Sequence, residues 1–207
     1  MKLKIITLSM VLASSLFAGG NTVPPEVKVI EIPKVKEVST SAFYFGLGAS
    51  YLKLNDSTTK EKLTGLGATA QIGYSYNDYI GIEARYTQSV GKVAYDKGTT
   101  TNTNNSNYPS KASNIAIYAK PNYKLGNLSL YGLVGYGMLK YTNLPTTTRD
   151  RKQNGFQWGV GTEYSLVAGL SIFADYTRLY TGTGFDGHVP NSDVYSDSVT
   201  VGVSYRF

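Results

Sequence analysis

The chain contains no cysteine and no long apolar run, and these two absences exclude several classes of protein. Without cysteine, its 207 residues form neither a disulfide framework nor a thiolate metal site. No stretch of about 18 consecutive apolar residues occurs, so the sequence contains no candidate transmembrane helix. Charged residues are also scarce, at 16% against roughly 25% in ordinary soluble domains. No Lys/Arg cluster or basic helix is visible, so nucleic-acid binding is not expected.

Glycine and tyrosine, in contrast, are abundant. The chain has 22 glycines, 18 tyrosines and 42% hydrophobic residues. Such a composition without long apolar runs favours many strands separated by turns. The net charge is +6, and without Lys2 and Lys4 there remain 18 basic against 14 acidic residues. This mild surplus favours contact with anionic surfaces such as lipid phosphates.

The first eighteen residues have the pattern of a secretory signal peptide. Lys2 and Lys4 precede an apolar segment at residues 5–12, and Ala18 provides a small residue for cleavage. An uncleaved anchor helix is the alternative, but residues 5–18 are too short to span a bilayer comfortably. We therefore predict a signal peptide at residues 1–18, cleavage after Ala18 and export.

Residues 19–41 differ in composition from the rest of the chain. They contain three prolines, and Lys and Glu alternate there with Val and Ile. This pattern predicts an extended periplasmic leader rather than a helix. A short added strand or contact with a periplasmic partner are the alternatives. The remaining residues, 42–207, are expected to form one domain.

The hydrophobic pattern of residues 42–207 has a period of two, which predicts β-strands. Eight such segments occur. The length of each is close to the roughly 9–11 residues that a tilted strand needs to cross a bilayer. One face of the first segment is bulky and apolar, with Phe43, Phe45 and Leu47. The fifth segment, residues 128–141, is apolar on both faces, so its orientation stays open. Pro121 near the end of the fourth lacks a ladder donor, which is tolerable at such a position.

The connections between these segments alternate in length. Those after the second, fourth and sixth are short, at residues 77–78, 124–127 and 167–169. Those after the first, third, fifth and seventh are long, at roughly residues 55–65, 91–113, 142–155 and 181–197. This alternation predicts an all-β fold, an eight-stranded antiparallel up-and-down transmembrane β-barrel with short periplasmic turns and long external loops.

Charged residues on the polar face are predicted to lie inside this barrel. The polar face is otherwise rich in small residues, which suit the crowded interior of eight strands. Three acids and three bases sum to zero charge, as expected if buried charges are paired: Glu83, Arg85, Lys120, Glu163, Asp175 and Arg206. All but Arg206, which lies nearer the periplasmic rim, have comparable depth. We favour a packed, salt-bridged plug; an ion-conducting lumen is the alternative.

Two segments resemble a known family. The opening FYFGLGASY at residues 43–51 and the alternating ending of Val201, Val203, Tyr205 and Phe207 are similar to OmpA-like or Opa-like (opacity-type) outer-membrane barrels. The resemblance implies residence in the outer membrane of a Gram-negative bacterium, in contact with lipid and lipopolysaccharide. It also implies that Val203, Tyr205 and Phe207 form the signal that the barrel assembly machinery recognises.

The loops favour a structural or surface-interaction, adhesin-like role without catalysis. Residues 99–107 form a polar, low-complexity loop tip that carries no catalytic residue types. The third loop is basic, and we expect Arg149, Arg151 and Lys152 to contact lipopolysaccharide phosphates. Host surface ligands are further expected partners of the loops.

Two alternatives are a small porin-like channel and a membrane-embedded hydrolase. The only histidine, His188, lies two residues after Asp186. A nucleophile or water needs a nearby base, usually a histidine with an acid partner. The Asp186–His188 pair lies in a glycine-containing loop and is therefore weak evidence for such a site. No metal-ligand cluster, phosphate loop or Gly-x-Ser-x-Gly motif accompanies it. We therefore expect no enzyme activity, no metal site and no cofactor.

Overall fold

The computed structural model describes residues 41–57, 60–97, 106–108, 110–142, 151–167, 169–182 and 194–207. They contain no helix that is long and apolar enough to cross a bilayer. The predicted signal peptide lies outside the described residues, as do residues 19–40 of the predicted leader.

The described residues form ten strands. Their bounds are β1 Ala42–Asp56, β2 Glu61–Ser75, β3 Ile80–Ser89, β4 Val93–Lys97, β5 Ser106–Tyr108, β6 Lys111–Leu125, β7 Leu128–Thr142, β8 Arg151–Ser165, β9 Leu170–Gly182 and β10 Val194–Arg206. Eight of them, all except β4 and β5, have 10 to 15 residues and form the barrel wall.

The wall closes because its last strand pairs with its first. β1 lies between β10 and β2, with Ala49 opposite both Val201 and Ala68. Each other wall strand pairs antiparallel with its neighbours in chain order, and β3 passes directly to β6. The predicted eight-stranded antiparallel up-and-down barrel is therefore confirmed. Closure leaves no free edge around the wall, which an open sheet would expose.

Strand alternation separates an apolar outside from a polar inside. Phe43 is 61% exposed on the outer surface, whereas its neighbour Tyr44 is 5% exposed and points inward. The orientation of the fifth predicted strand, β7, is now settled. Leu128 and Leu130 face outward, whereas Ser129 faces the interior. Because the bulky apolar face is outside, the surface is suited to lipid rather than to water.

Three short turns lie at one end of the barrel, which we call the short-turn end. They connect β2 to β3, β6 to β7 and β8 to β9, as predicted. The β6–β7 turn has only two residues, Gly126 and Asn127, and Gly126 has a φ of +64°. A left-handed conformation at the first turn position is what a tight hairpin of the type II′ class requires. The opposite end is called the long-loop end.

The first connection is much shorter than predicted, so the long loop at residues 55–65 was wrong. β1 extends to Asp56 and β2 begins at Glu61, with Leu54 opposite Leu63. The inward alternation continues into the predicted loop, because Leu63 is buried in the interior in the same cluster as Leu52 and Leu54. Packing of these side chains extends the ladder.

Two further loop predictions are corrected at the long-loop end. The predicted loop at residues 91–113 contains a short hairpin, in which β4 pairs with β5 and with the beginning of β2. The predicted loop at residues 142–155 ends earlier, because Arg151 and Lys152 belong to β8 and lie opposite Tyr141 and Lys140. Residues 99–105 of the predicted loop tip lie outside the described residues.

Candidate functional site

The barrel interior is organised around Arg85, which points inward from β3. Its guanidinium group donates two parallel hydrogen bonds to the Asp175 carboxylate, with Nη1–Oδ1 and Nη2–Oδ2 distances of 2.9 Å and 2.8 Å. Its Nε donates to Glu83, which lies two positions earlier on the same strand face. The side chains of all three residues are 4% exposed or less. Bidentate pairing of this kind fixes the geometry of both partners.

Lys120 joins one further acid, Glu163, to this group. Its Nζ lies 2.9 Å from Glu83 Oε2 and 3.6 Å from Glu163 Oε2. The ammonium group also lies over the rings of Tyr44 and Tyr131, at 4.7 Å and 4.2 Å from their centroids. Contact with two aromatic faces stabilises a desolvated cation. We call Glu83, Arg85, Lys120, Glu163 and Asp175 the charge network.

The two tyrosines also donate hydrogen bonds to carboxylate oxygens that already accept from Lys120 or Arg85. Tyr44 Oη donates to Glu83 Oε2 at 2.6 Å, and Tyr131 Oη donates to Asp175 Oδ2 at 2.8 Å. Glycines on adjacent strands make room for the rings. A Cβ at Gly73 would lie 2.2 Å from Tyr44 Cζ, and one at Gly161 would lie 2.6 Å from the Tyr131 ring. The small residues of the polar face therefore have a specific packing role.

Arg206 is the one predicted interior charge that the structure does not bring into this network. It is half-buried and lines a polar pocket of about 200 Å³ at the short-turn end, together with Glu163 and Lys124. Within the described part of the chain, it forms no ion pair. Lys124 pairs with Asp78 in the β2–β3 turn.

Hydroxyl side chains form a chain across four strands on the long-loop side of the charge network. Thr87 and Thr69 share a hydrogen bond of 2.7 Å, Thr69 and Ser50 one of 2.6 Å, and Ser50 and Thr200 one of 3.0 Å. All four residues are buried. Hydroxyl groups both donate and accept, so such a chain satisfies its members without water.

On the opposite wall, two amide side chains likewise satisfy their hydrogen-bonding groups without water. Gln157 Nε2 donates to Asn114 Oδ1 at 2.8 Å, and Tyr118 Oη donates to Gln157 Oε1 at 2.5 Å. Sequence reasoning did not single out these uncharged residues. Their signal was their position on the inward face of the strands that carry Lys120 and Glu163.

The long-loop end of the interior is apolar. Leucine, valine, alanine and tyrosine side chains from seven strands pack together there, and we call this group the apolar seal: Leu52, Leu54, Leu63, Val93, Ala112, Leu139, Tyr141, Leu179, Tyr180 and Val194. Each is 7% exposed or less. Sequence reasoning missed this cluster, because it assumed polar residues throughout the inward face.

Lysines occupy the outward face at the long-loop end. Lys140 on β7 and Lys152 on β8 are directly opposite each other, and Lys111 on β6 is diagonal to Lys140. Of the predicted lipopolysaccharide contacts, Lys152 is exposed at this surface. Arg149 and the side chain of Arg151 lie outside the described residues.

The final strand places its predicted assembly signal on the outer surface. Val203, Tyr205 and Phe207 are all exposed, and the rings of Tyr205 and Phe207 meet edge to face with centroids 5.2 Å apart. The backbone nitrogen of Phe207 donates to the Phe43 carbonyl at 3.0 Å, which holds the chain end against β1. His188 of the alternative hydrolase site lies outside the described residues.

A closed antiparallel barrel with an apolar exterior and a polar, charge-paired centre is a transmembrane β-barrel. The family described as outer membrane protein beta-barrel domain matches residues 13–207, and the chain belongs to this family. The protein is therefore an outer-membrane protein of a Gram-negative bacterium, with its short turns on the periplasmic side and its long loops outside.

Solved structures of other bacterial barrels share the fold. Ail, the attachment invasion locus protein of Yersinia pestis, was solved in complex with the heparin analogue sucrose octasulfate. It is 18% identical, with 81% of this chain and 99% of that chain covered and a TM-score of 0.54. Neisserial surface protein A is 18% identical over 80% and 97% of the two chains, with a TM-score of 0.58. OprG of Pseudomonas aeruginosa is 12% identical over 82% and 96%, with a TM-score of 0.53. Comparison with curated proteins finds no match.

Proposed function

We propose that this barrel is a closed scaffold that presents its outer end for surface interactions and does not act as a channel or an enzyme. The observation that carries the proposal is the filling of the interior at two levels. The charge network crosses the lumen from β3 to β9, and the apolar seal fills its outer end. An eight-stranded barrel is just wide enough for side chains to fill it, so these two layers leave the loops and rim as the surface for interaction.

Planar-bilayer recording of the purified, refolded barrel tests the closed state. We expect no stable conductance steps at either polarity, because an ion would have to displace both buried ion pairs and packed apolar side chains. A heat-dependent shift in gel mobility verifies that the recorded protein is folded. Stable, reproducible steps from the folded wild-type protein would support the channel alternative and overturn the closed scaffold.

The lysines at the outer rim support a polyanionic surface partner. Lys111 on β6 and Lys152 on β8 are exposed at the long-loop end, and a cationic surface of this kind attracts polyanions. Phosphate groups of lipopolysaccharide and sulfated host glycans both supply such anions. The complex of Ail with a sulfated sugar shows this chemistry on a barrel of the same fold.

A charge-reversal variant tests this surface. We expect Lys152→Glu to weaken binding of the refolded barrel to a heparin column, so that it elutes at lower salt. Lys62→Glu is the matched control, because Lys62 is also exposed at the outer end but lies opposite Asp96. Equal elution of both variants would contradict a local site. Repeating the measurement with lipopolysaccharide vesicles distinguishes the two anion sources.

Two further assignments belong to the same proposal. The exposed edge-to-face pair of Tyr205 and Phe207, with Val203 on the same face, supports recognition of the last strand by the barrel assembly machinery. Phe207→Ala should slow assembly in cells without changing the stability of the refolded barrel. We further propose that the barrel has no catalytic activity. Loss of a measurable hydrolase activity in His188→Ala would contradict it.

A further inference from the structure

The polar pocket at the short-turn end lies on the periplasmic side of the charge network, and we call it the periplasmic pocket. Its volume is about 200 Å³, and its lining includes Arg206, Glu163 and Lys124. The Lys124 side chain is 38% exposed, so solvent reaches the pocket from the periplasm. One water occupies about 30 Å³ in the liquid, and pockets for drug-sized ligands begin at roughly 300 Å³. The periplasmic pocket therefore fits a small polar solute.

Two of the three cations that line this pocket already have acidic partners. Lys124 pairs with Asp78 in the β2–β3 turn, and Lys120 Nζ lies 2.9 Å from Glu83 Oε2. Arg206, in contrast, forms no ion pair with any residue that the structure describes. A guanidinium group stays charged and presents five N–H donors in a planar fork. Arg206 thus offers an uncompensated positive charge to an anionic group in the pocket.

Glu163, the one acid of the charge network that lines this pocket, has an incomplete set of partners. Ser204 Oγ donates to Glu163 Oε1 at 3.1 Å. Lys120 Nζ lies 3.6 Å from the other oxygen, Oε2, which is too long for a direct hydrogen bond. No residue in the described ranges donates a hydrogen bond to Oε2, and the side chain is 15% exposed. This carboxylate can therefore accept a hydrogen bond from a cationic group in the pocket.

We infer that the periplasmic pocket binds a small zwitterion of the α-amino acid class, with its carboxylate on Arg206 and its ammonium group on Glu163. In the described part of the chain, these two side chains line one pocket without pairing with each other. A ligand that carries both charges can lie between them and form charge-assisted hydrogen bonds to each. A simple anion would be repelled by Glu163, and a simple cation by Arg206, so neither gains from both side chains.

Titration of the refolded, ¹⁵N-labelled barrel with free glycine, followed by NMR, tests this inference. A non-ionic detergent is required, because zwitterionic headgroups would compete for the pocket. We expect free glycine to shift the backbone amide signals of Arg206 and Glu163 in a saturable manner. Acetate and methylammonium each carry one of its two charges and should cause no saturable shift at the same ionic strength. Saturation by acetate, methylammonium or inorganic phosphate would identify a site for a single charge and overturn the inference.

Two variants assign the charges of the site. Arg206→Gln and Glu163→Gln should each raise the dissociation constant for free glycine about tenfold or more, which corresponds to one hydrogen bond to a charged group. Arg178→Gln is the matched control, because Arg178 lies near the long-loop end, four residues before the end of β9 at Gly182. If Glu163→Gln does not fold, Arg206→Gln decides the test, since Arg206 is half-buried outside the charge network. No saturable shift in the wild-type protein, or equal affinity in Arg206→Gln and Arg178→Gln, would overturn the inference.

Discussion

The two halves of the barrel interior are filled in different ways. Toward the short-turn end, ion pairs and tyrosines surround Arg85 and Lys120. Toward the long-loop end, the apolar seal contains no charged residue. The inward-facing residues of the barrel strands thus form ion pairs toward one end of the interior and apolar contacts toward the other. The difference teaches that the polar face of a membrane barrel need not be polar along its whole length.

The two halves stabilise their buried side chains by different interactions. Buried charges in the first half are balanced by partners across the lumen, which limits the cost of desolvating them. In the second half, the strands extend past their predicted ends, and Leu54 lies opposite Leu63. Side chains there pack as in the core of a soluble protein. The barrel therefore joins an electrostatic interior to a hydrophobic one.

The largest expected effect comes from breaking the charge network. Arg85→Met removes the cation that pairs with Asp175 and leaves this buried carboxylate poorly compensated. Glu83 loses one of its two cationic partners and keeps Lys120. We expect a loss of about 3–5 kcal/mol in the free energy of unfolding, as for other broken buried ion pairs. Urea unfolding of the barrel in lipid vesicles measures it. Arg206→Met is the control and should cost far less, since Arg206 is half-buried outside the network. Equal losses would show that the network is not the source of stability.

The apolar half should respond almost as strongly to a cavity. Leu139 is 1% exposed within the apolar seal, and Leu139→Ala should reduce the unfolding free energy by about 2–5 kcal/mol. Leu130→Ala on the same strand is the control, because Leu130 is 46% exposed toward lipid and lipid fills the space that truncation leaves. The same unfolding assay compares them. A larger effect at Leu130 would mean that the apolar seal is loosely packed.

Most of the wall could be predicted from the sequence, because alternation and turn residues are local properties. Phe43 and Tyr44 are assigned to opposite faces by the period of two alone. The β7 strand could not be oriented this way. Its inward face carries Leu133 and Leu139, which pack in two separate apolar clusters, so both of its faces are apolar.

The contacts within the interior depend on features that the sequence does not display. The alternation of inward and outward positions along each strand placed Arg85 and Asp175 inside. Their pairing, however, depends on the stagger of β3 against β9 around the closed barrel. Arg206 also occupies an inward position of its strand, yet it lies too near the short-turn end to join them. The first connection was misjudged for a related reason, since Leu63 reveals its inward role only through its partner on β1.

A single hydroxyl tests how tightly the charged half is coupled to its tyrosines. Tyr131→Phe removes one donor to Asp175 while Arg85 keeps its bidentate contact. We expect a loss of about 1.5–3 kcal/mol, the range for hydrogen bonds to charged groups. Tyr136→Phe on the same strand is the control, because Tyr136 is exposed to lipid. If both variants unfold at the same urea concentration, the hydroxyl contributes nothing to the network.

The smallest effect is expected for an ion pair on the outside of the same wall. Arg178 Nε lies 2.5 Å from Asp197 Oδ1, and the two side chains are 25% and 15% exposed. Arg178→Ala should cost roughly 0.2–1 kcal/mol, as partly solvated pairs do. Tyr176 Oη still donates to Asp197 at 2.7 Å, so the carboxylate keeps a partner. Raising the salt concentration should reduce the loss caused by Arg178→Ala further, because mobile ions can reach the outer pair. The loss caused by Arg85→Met should stay nearly unchanged, because its ion pairs are buried. A loss at Arg178 as large as that at Arg85 would mean that burial does not separate the two pairs.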